Sequence, residues 1–209
     1  MGTEKLFVKE GIKIQKLEEY LKKKFARAGY SHSEIERTPI GTRIIVYAFR
    51  PGLVIGRSGR KIAEIAQEIK ERFGIENPML DVREVENPYL DPNIVAHRIA
   101  KALERGIHFK KVCNYYLEKI MEAGAVGAYI RVAGKLAGVD RSRFQKFRRG
   151  FIAVTGDYAD KLVKVGRAQA ILKPGVVGVE VRIMKEAPKE LIMEKEIKKE
   201  VKENGNENE

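Results

Sequence analysis

Apolar residues recur at intervals of three and four in two stretches of the first half of the chain, and a glycine follows each stretch. Such spacing predicts amphipathic helices that end at the glycines. Shorter apolar runs predict strands, and the run at residues 44–49 favours a central strand that is covered on both faces. A short helix or turn is expected at residues 50–55. The predicted order of the main elements is helix, strand, strand, helix and strand, at residues 5–28, 31–37, 42–49, 60–73 and 79–85.

The second half of the chain follows a segment with two prolines, at residues 87–92. Proline interrupts regular structure, and Asp91 can cap a helix that starts there. We therefore predict one domain at residues 1–86, a linker at 87–92 and a second domain at 93–184. Residues 159–173 fit neither periodicity clearly. The predicted elements of the second domain are helices at 93–104 and 110–123 and strands around 130–132, 151–155 and 177–183.

The mixture of helices and strands in both halves predicts an α+β fold class. In the second domain, helices are expected to pack on a mixed or antiparallel sheet. Residues 185–209 contain six lysines and eight glutamates and few apolar residues. Such a composition predicts a charged, disordered tail.

The charge of the chain indicates a polyanionic partner. Lys and Arg number 41 against 29 Asp and Glu, which gives a net charge of +12. Nucleic acid and anionic membrane both fit this excess, but no apolar run approaches the roughly 20 residues of a membrane-spanning helix. Nucleic acid in the cytosol is therefore favoured over membrane. Cys113 is a single cysteine, and the three histidines have no ligand spacing, so no metal site is expected. Neither a cofactor nor a small-molecule substrate is expected.

One of three Gly-x-x-Gly pairs has the composition of an anion-binding loop. The pairs at 124–127 and 175–178 enclose apolar residues and are interpreted as turns packed on a core. The third pair stands in a stretch, residues 50–61, that has four basic residues and no acid. Glycine lets the backbone approach a phosphate, and the start of the following helix offers N–H groups and a favourable dipole. A solvated turn between two helices is the alternative. The candidate RNA-binding residues here are Gly56, Arg57, Ser58, Gly59, Arg60 and Lys61.

A second basic stretch spans residues 135–149, with six basic residues and one acid. We interpret it as an exposed loop whose cations contact phosphates. Phe144 and Phe147 lie between the cations, where they either stack on bases or anchor the loop in the core. The candidate RNA-binding residues of this stretch are Lys135, Arg141, Arg143, Lys146, Arg148 and Arg149.

Residues 54–62, Val-Ile-Gly-Arg-Ser-Gly-Arg-Lys-Ile, resemble the signature of the KH domain, whose GXXG loop clamps the backbone of nucleotides. The predicted element order over residues 5–86 is similar to the type II arrangement of that domain. The second half resembles the second domain of the universal ribosomal protein S3 family of the small subunit. This likeness lies in Gly134-Lys-Leu-Ala-Gly138 and in residues 175–183, and residues 151–157 look like the archaeal and eukaryotic branch.

The resemblance to the S3 family implies a structural constituent of the head of the small ribosomal subunit. Its implied partners are ribosomal RNA, messenger RNA in the channel through which it enters, and neighbouring proteins of the head. In bacterial members, basic residues on the second helix of this domain help to open structured messenger RNA. The matching positions here are Lys110, Lys111 and Asn114. Two of the three positions keep their charge and the third does not, so the lysine pair is expected to act only as a guide for messenger RNA, with a solvated helix start as the alternative.

Two other functions remain open on the sequence. An enzyme is disfavoured because the chain has no P-loop, nucleophile elbow or H-E-x-x-H motif. A DNA-repair lyase or endonuclease that uses a lysine would need no such motif and is the weaker alternative. A free-standing KH regulator of messenger RNA would share the loop but would not cofractionate with small subunits. We expect a ribosomal protein rather than an enzyme.

Overall fold

The computed structural model describes residues 3–38, 41–75, 77–136, 138 and 140–188, except for the side chains of residues 3, 4, 6 and 7. The chain divides into two compact units between Pro88 and Tyr89, a point that lies inside the predicted linker. The predicted domain limits themselves stay a prediction, and the predicted tail lies outside the described residues from residue 189 onward. Among the described helices, none is long and apolar enough to cross a bilayer.

The first unit has a three-stranded sheet in the order β1-β2-β3, in which β2 is antiparallel to β1 and parallel to β3. This order and the element sequence agree with the predicted α+β arrangement. Short 3-10 turns lie at Ala26–Ala28 and Arg57–Gly59. The elements are α1 (Thr3–Lys24), β1 (Tyr30–Thr38), β2 (Gly41–Ala48), α2 (Pro51–Ile55), α3 (Arg60–Phe73) and β3 (Pro78–Glu84).

The core of the first unit lies between the long helices and one face of the sheet. Its fully buried side chains include Leu17, Leu21 and Phe25 before the sheet, Ile44 and Val46 of β2, and Ile65 and Ile69 of α3. The strand β2 is central, as predicted, but its second face differs from the prediction of a covered strand. On that face Arg43 pairs with Asp81, and the Tyr47 hydroxyl donates to Glu34 at 3.0 Å. Polar side chains therefore accompany the buried Ile45 there.

The second unit is a four-stranded antiparallel sheet in the order β5-β4-β7-β6, with two long helices on one face. Asp91 caps the first helix, as predicted, since its Oδ1 accepts from the N–H groups of Asn93 at 2.9 Å and Ile94 at 3.2 Å. The elements are α4 (Pro92–Glu104), α5 (Phe109–Glu122), β4 (Gly127–Gly134), β5 (Arg143–Gly150), α6 (Asp157–Leu162), β6 (Val163–Leu172) and β7 (Gly175–Met184).

The strand predicted at residues 151–155 is wrong, because the ladder ends one residue earlier. Gly150 has a φ of 70°, and the N–H of Phe151 then donates to the carbonyl of Val126 at 3.1 Å. A β carbon on Gly127 would stand 1.8 Å from the carbonyl oxygen of Phe151, so the backbone crosses tightly there. The strand that lies beside β4 at this edge of the sheet is instead β5, which falls within residues 135–149, the stretch interpreted from the sequence as a basic loop.

Candidate nucleic-acid interface

The loop between α2 and α3 has a backbone that turns repeatedly through the left-handed region. The φ angles are 74° at Gly56, 52° at Ser58 and 74° at Gly59. Only glycine adopts this region without cost. A β carbon on Gly56 would stand 2.6 Å from the β carbon of Lys61, so the loop and the start of α3 pack closely there. The two glycines thus set the shape of the loop for different reasons.

The basic side chains of the loop face solvent. Arg57, Ser58, Arg60 and Lys61 are exposed, and the two glycines are half-buried. Within the described part of the chain, no salt bridge joins Arg57, Arg60 or Lys61 to a carboxylate. The Lys61 ammonium donates to the carbonyl of Leu53 at 2.8 Å, which ties the start of α3 to α2. The positive charge of the loop is therefore left for an external anion.

The start of α3 adds to this positive potential. Its first turn, which is described throughout, has no acidic residue, and its N-cap, Gly59, has no side chain to accept from the first N–H groups. The partial positive charge at a helix N-terminus attracts anions. On the other side of the loop, Leu53 and Ile55 of α2 are 45% and 39% exposed. An anion-binding corner therefore lies beside an apolar surface.

The two lysines at the start of α5 are also exposed. Lys110 and Lys111 lie in the first turn. The backbone N–H of Lys110 donates to Nδ1 of the N-cap residue His108 at 3.3 Å. Cations at a helix N-terminus oppose the helix dipole, typically by about 0.3–1 kcal/mol each at low salt. Asn114 lies one turn further and is exposed as well. This unfavourable placement favours an external anion as the lysines' partner.

The basic stretch at residues 135–149 is an edge strand for half of its length, and this corrects the predicted loop. Alternation along β5 divides its side chains between the two faces of the sheet. Phe147 packs on the core beneath the helices, with its ring centroid 6.4 Å from that of Phe109. Phe144 is on the opposite face and is 61% exposed. The core-anchor interpretation therefore holds for Phe147, whereas stacking of the exposed Phe144 on bases stays a prediction.

The cations of this stretch are not equivalent. Arg149, on the helix side, pairs with Glu118 of α5 at 3.0 Å, so its charge has a partner within the protein. Arg148 donates to the carbonyl of Ile152 at 3.4 Å. Lys146 faces the other side of the sheet together with Phe144. The remaining cations, Lys135, Arg141 and Arg143, are exposed before β5 or at its start.

Sequence reasoning missed the cations of the other strands that share a face with Lys146. Arg131 of β4 is paired directly with Lys146 in the register, and Arg167 of β6 and Arg182 of β7 lie on the same face. Because Arg131 lies between the buried Ile130 and Val132, the sequence predicts that its side chain projects from the face opposite the core. The sequence does not show which cations of other strands lie beside it, because that depends on how the strands pair.

The single cysteine of the chain is buried. Cys113 is fully buried on α5, and burial raises the pKa of its thiol to about 12. Such a thiol is protonated at neutral pH and is a poor nucleophile. Among the described residues, no group of three or more His, Cys, Asp or Glu side chains has the arrangement of a metal site.

Comparison with known proteins finds two family models that match adjoining parts of the chain. The model described as KH domain matches residues 16–90, and that described as Ribosomal protein S3, C-terminal domain matches residues 99–183. Small ribosomal subunit protein uS3 of Methanocaldococcus jannaschii is 48% identical over 182 residues, which cover 87% of each chain. The protein of the same name from Methanococcus maripaludis strain C5 is 46% identical over 87% of this chain and 86% of its own. That from Methanothermobacter thermautotrophicus is 46% identical over 87% of this chain and 70% of its own.

Proposed function

Because the chain belongs to the uS3 family of small ribosomal subunit proteins, we propose that it binds ribosomal RNA through residues 56–61 of its KH domain and helps to form the channel through which messenger RNA enters. The family membership makes the chain a structural constituent of the small ribosomal subunit, of the type found in archaea. The matched relatives are named as ribosomal proteins and not as enzymes, which confirms the expected class. The ribosome places the chain, in our proposal, in the cytoplasm beside other proteins of the head.

The observation that carries the RNA-binding proposal is the unpaired charge of the loop. Arg57 and Arg60 are exposed, and within the described residues no carboxylate forms a salt bridge with either. Phosphate contacts supply most of the affinity of such a surface, and they need cations that are free to receive them. The glycines let the backbone of the loop lie against the RNA strand, and the N-terminus of α3 adds its dipole.

The apolar surface beside the loop supports a single strand rather than a duplex. Leu53 and Ile55 are exposed on α2, next to the turn that holds Arg57. Single-stranded RNA presents unstacked bases, which gain by contact with apolar side chains, whereas a duplex presents only its backbone and grooves. We propose that a phosphate lies at the loop and that the adjoining base lies towards α2.

The lysines at the start of α5 support the second part of the proposal. Lys110 and Lys111 are exposed side by side at a helix N-terminus, and among the described residues no carboxylate forms a salt bridge with either lysine. A passing messenger RNA supplies an anion for them without sequence preference. With Asn114 in the third position, the pair guides the messenger strand in our proposal, and we assign it no unwinding role.

The RNA-binding role of the loop is tested with the variant Arg57→Asp with Ser58→Asp. Aspartate tolerates the positive φ of residue 58, so the fold is expected to persist while the loop loses its attraction for phosphate. Binding to small-subunit ribosomal RNA is expected to weaken, with a log–log salt dependence that is flatter by about 0.7–0.9 for each lost contact. The measurement is a titration of RNA at several salt concentrations.

A matched control reverses the same amount of charge away from the loop. Gln15→Glu with Lys16→Glu changes two exposed residues of α1 by the same total of three charges. The loop proposal predicts weaker binding for the loop variant than for this control at equal melting temperature. Equal RNA affinities of the two variants would exclude the loop as the contact.

Cofractionation tests the ribosomal role itself. A chain that leaves the small-subunit fractions of a gradient at moderate salt would favour the free-standing regulator instead.

A further inference from the structure

The sheet of the second unit has one face without the long helices, and this face presents its side chains in rows that cross the strands. Directly paired residues of antiparallel strands project to the same side. The register places Lys146 beside Arg131, Arg131 beside Glu180, and Glu180 beside Arg167. We call these four residues the cation row. Three of them are basic and come from three different strands.

The only acid of the row is already compensated. Glu180 accepts a hydrogen bond from Arg182 at 2.7 Å and lies 3.9 Å from Arg167, and it is mostly buried. Within the described residues, neither Lys146 nor Arg131 forms a salt bridge with a carboxylate. Altogether the four strands place one carboxylate and five cations on this face: Arg131, Lys146, Arg148, Arg167 and Arg182. The open charge of the face is therefore strongly positive.

An apolar row runs beside the cation row. The register aligns Phe144 with Ala133, Gly178 and the exposed Gln169, and Val176 with Ile171 forms the next row, at the tip of the β6–β7 hairpin. We use the name apolar row for these two adjacent rows. Phe144, Val176 and Ile171 are 61%, 55% and 74% exposed. The small residues in the middle leave a shallow step next to the phenylalanine ring. Exposed apolar side chains grouped in this way mark a binding surface more often than they mark bare protein.

The two rows are joined at Phe144. The guanidinium carbon of Arg131 lies 5.2 Å from the ring centroid, and the Lys146 ammonium lies 5.5 Å from it. Each cation is thus within the range of a cation–π contact and is held above the sheet rather than folded away from it. The opposite end of the face is covered by the segment after β5, where Ile152 packs with Met184 and Val163. The cation row and the apolar row are the uncovered part.

We propose that this uncovered face binds single-stranded RNA, with phosphates on the cation row and bases on the apolar row. Neighbouring rows are two residues apart along each strand, roughly 7 Å, so one nucleotide can reach both. Sheets with exposed aromatic and basic side chains bind single strands by this combination of stacking and charge. The inference rests on the proposed ribosomal function and adds a second RNA-binding surface to that of the loop.

RNA fits the two rows better than an acidic protein segment does. An acidic protein strand would have to present carboxylates and apolar side chains on one face, at the spacing of the two rows. No other feature of this face of the sheet favours such a strand. The ring of Phe144 is exposed and has two cations over it, and an exposed aromatic ring beside cations suits the stacking of a base next to its phosphate. An acidic segment is therefore an outcome that the test must separate from RNA.

The chain contains no tryptophan, so a single substitution creates a local reporter. Phe144→Trp places an indole on the apolar row, and Tyr158→Trp, at a position 42% exposed on α6, places one directly before β6 as a matched control. Binding of oligoadenylate is expected to quench the emission of Trp at position 144 and to leave that at position 158 unchanged. Polyglutamate is expected to have little effect at position 144. Equal or stronger quenching by polyglutamate would identify an acidic protein surface and overturn the proposal.

Charge removal on the reporter protein measures the phosphate contacts. Arg131→Gln with Lys146→Gln is expected to lower the log–log salt slope of quenching by about 1.4, at about 0.7 for each single-strand contact. The control Lys101→Gln with Lys164→Gln removes the same charge at exposed positions outside the two rows and is expected to leave the slope unchanged. Identical slopes for the two pairs would overturn the assignment of the cation row.

The loop variant Arg57→Asp with Ser58→Asp separates this inference from the proposed function of the loop. Quenching at position 144 is expected to persist in the loop variant, because the face is a separate contact. Absence of quenching in both backgrounds would overturn the sheet-face proposal, while the RNA affinity of the loop variant still decides the loop. Quenching that needs an intact loop would also overturn the proposal of an independent surface.

Discussion

Gly56 and Gly59 share a positive φ of 74° but differ in their surroundings. A β carbon on Gly56 would lie 2.6 Å from Lys61 Cβ, whereas one on Gly59 would meet no described atom within 4 Å. The sequence identifies the pair by its spacing but cannot show which glycine is sterically required. That distinction depends on how closely α3 approaches the loop, a property of the folded backbone alone.

Alanine substitution is expected to separate these two roles. Gly59→Ala is expected to lower the free energy of unfolding by about 1–2 kcal/mol, because alanine disfavours the left-handed conformation. Gly56→Ala has a larger conformational cost, because ψ is −173° at Gly56, in a region that essentially only glycine adopts, and it adds a clash with Lys61, of about 1–3 kcal/mol for an overpacked site. Urea denaturation of the two variants at unchanged m-value measures the difference. Equal midpoints would show that the loop moves away from Lys61 without cost.

The elements with strong periodicity could be predicted closely, and two strands could not. The helix α3 begins and ends where its apolar spacing and Gly74 predict. The strand β5 is an edge strand, and such strands carry charge to resist further pairing, so its cations resemble those of a loop. The strand β6 turns alanine and glycine towards the core, which leaves too little hydrophobic contrast for an alternating pattern.

The small residues of β6 are explained by the approach of α4. A β carbon on Gly166 would stand 2.3 Å from the backbone carbonyl carbon of Pro92, at the first turn of that helix. Gly166→Ala is therefore expected to push the helix from the sheet and to destabilise the fold by about 1–3 kcal/mol. Gly178→Ala is the control, because its β carbon would meet Ala133 at an ordinary 3.8 Å, and a change within about 0.5 kcal/mol is expected. Thermal unfolding of both variants tests this, and a tolerated Gly166→Ala would contradict the close packing.

For the molecule as a whole, the sequence predicted the kind of partner better than the surfaces that meet it. A net charge of +12 and a contiguous loop are readable along the chain, so the nucleic-acid class and the residues around Arg57 followed from it. The face that holds Lys146, Arg131 and Arg167 assembles only through the register of four strands. No linear window contains it. Net charge thus predicts the class of partner, and the pairing order of the strands determines which cations lie side by side.

The assembled subunit is where the proposed guide for messenger RNA is tested. Lys110→Gln with Lys111→Gln removes two exposed cations from the start of α5, where they oppose the helix dipole. The chain itself is expected to be slightly more stable, and its occupancy in small subunits is expected to be unchanged, because assembly depends on other contacts. Crosslinking of the chain to a photoreactive messenger RNA is expected to fall, while Lys101→Gln with Lys164→Gln leaves it unaltered. Full crosslinking by the Lys110 and Lys111 variant would show that the messenger strand passes elsewhere, and a loss of subunit occupancy would assign the lysines to ribosomal RNA instead.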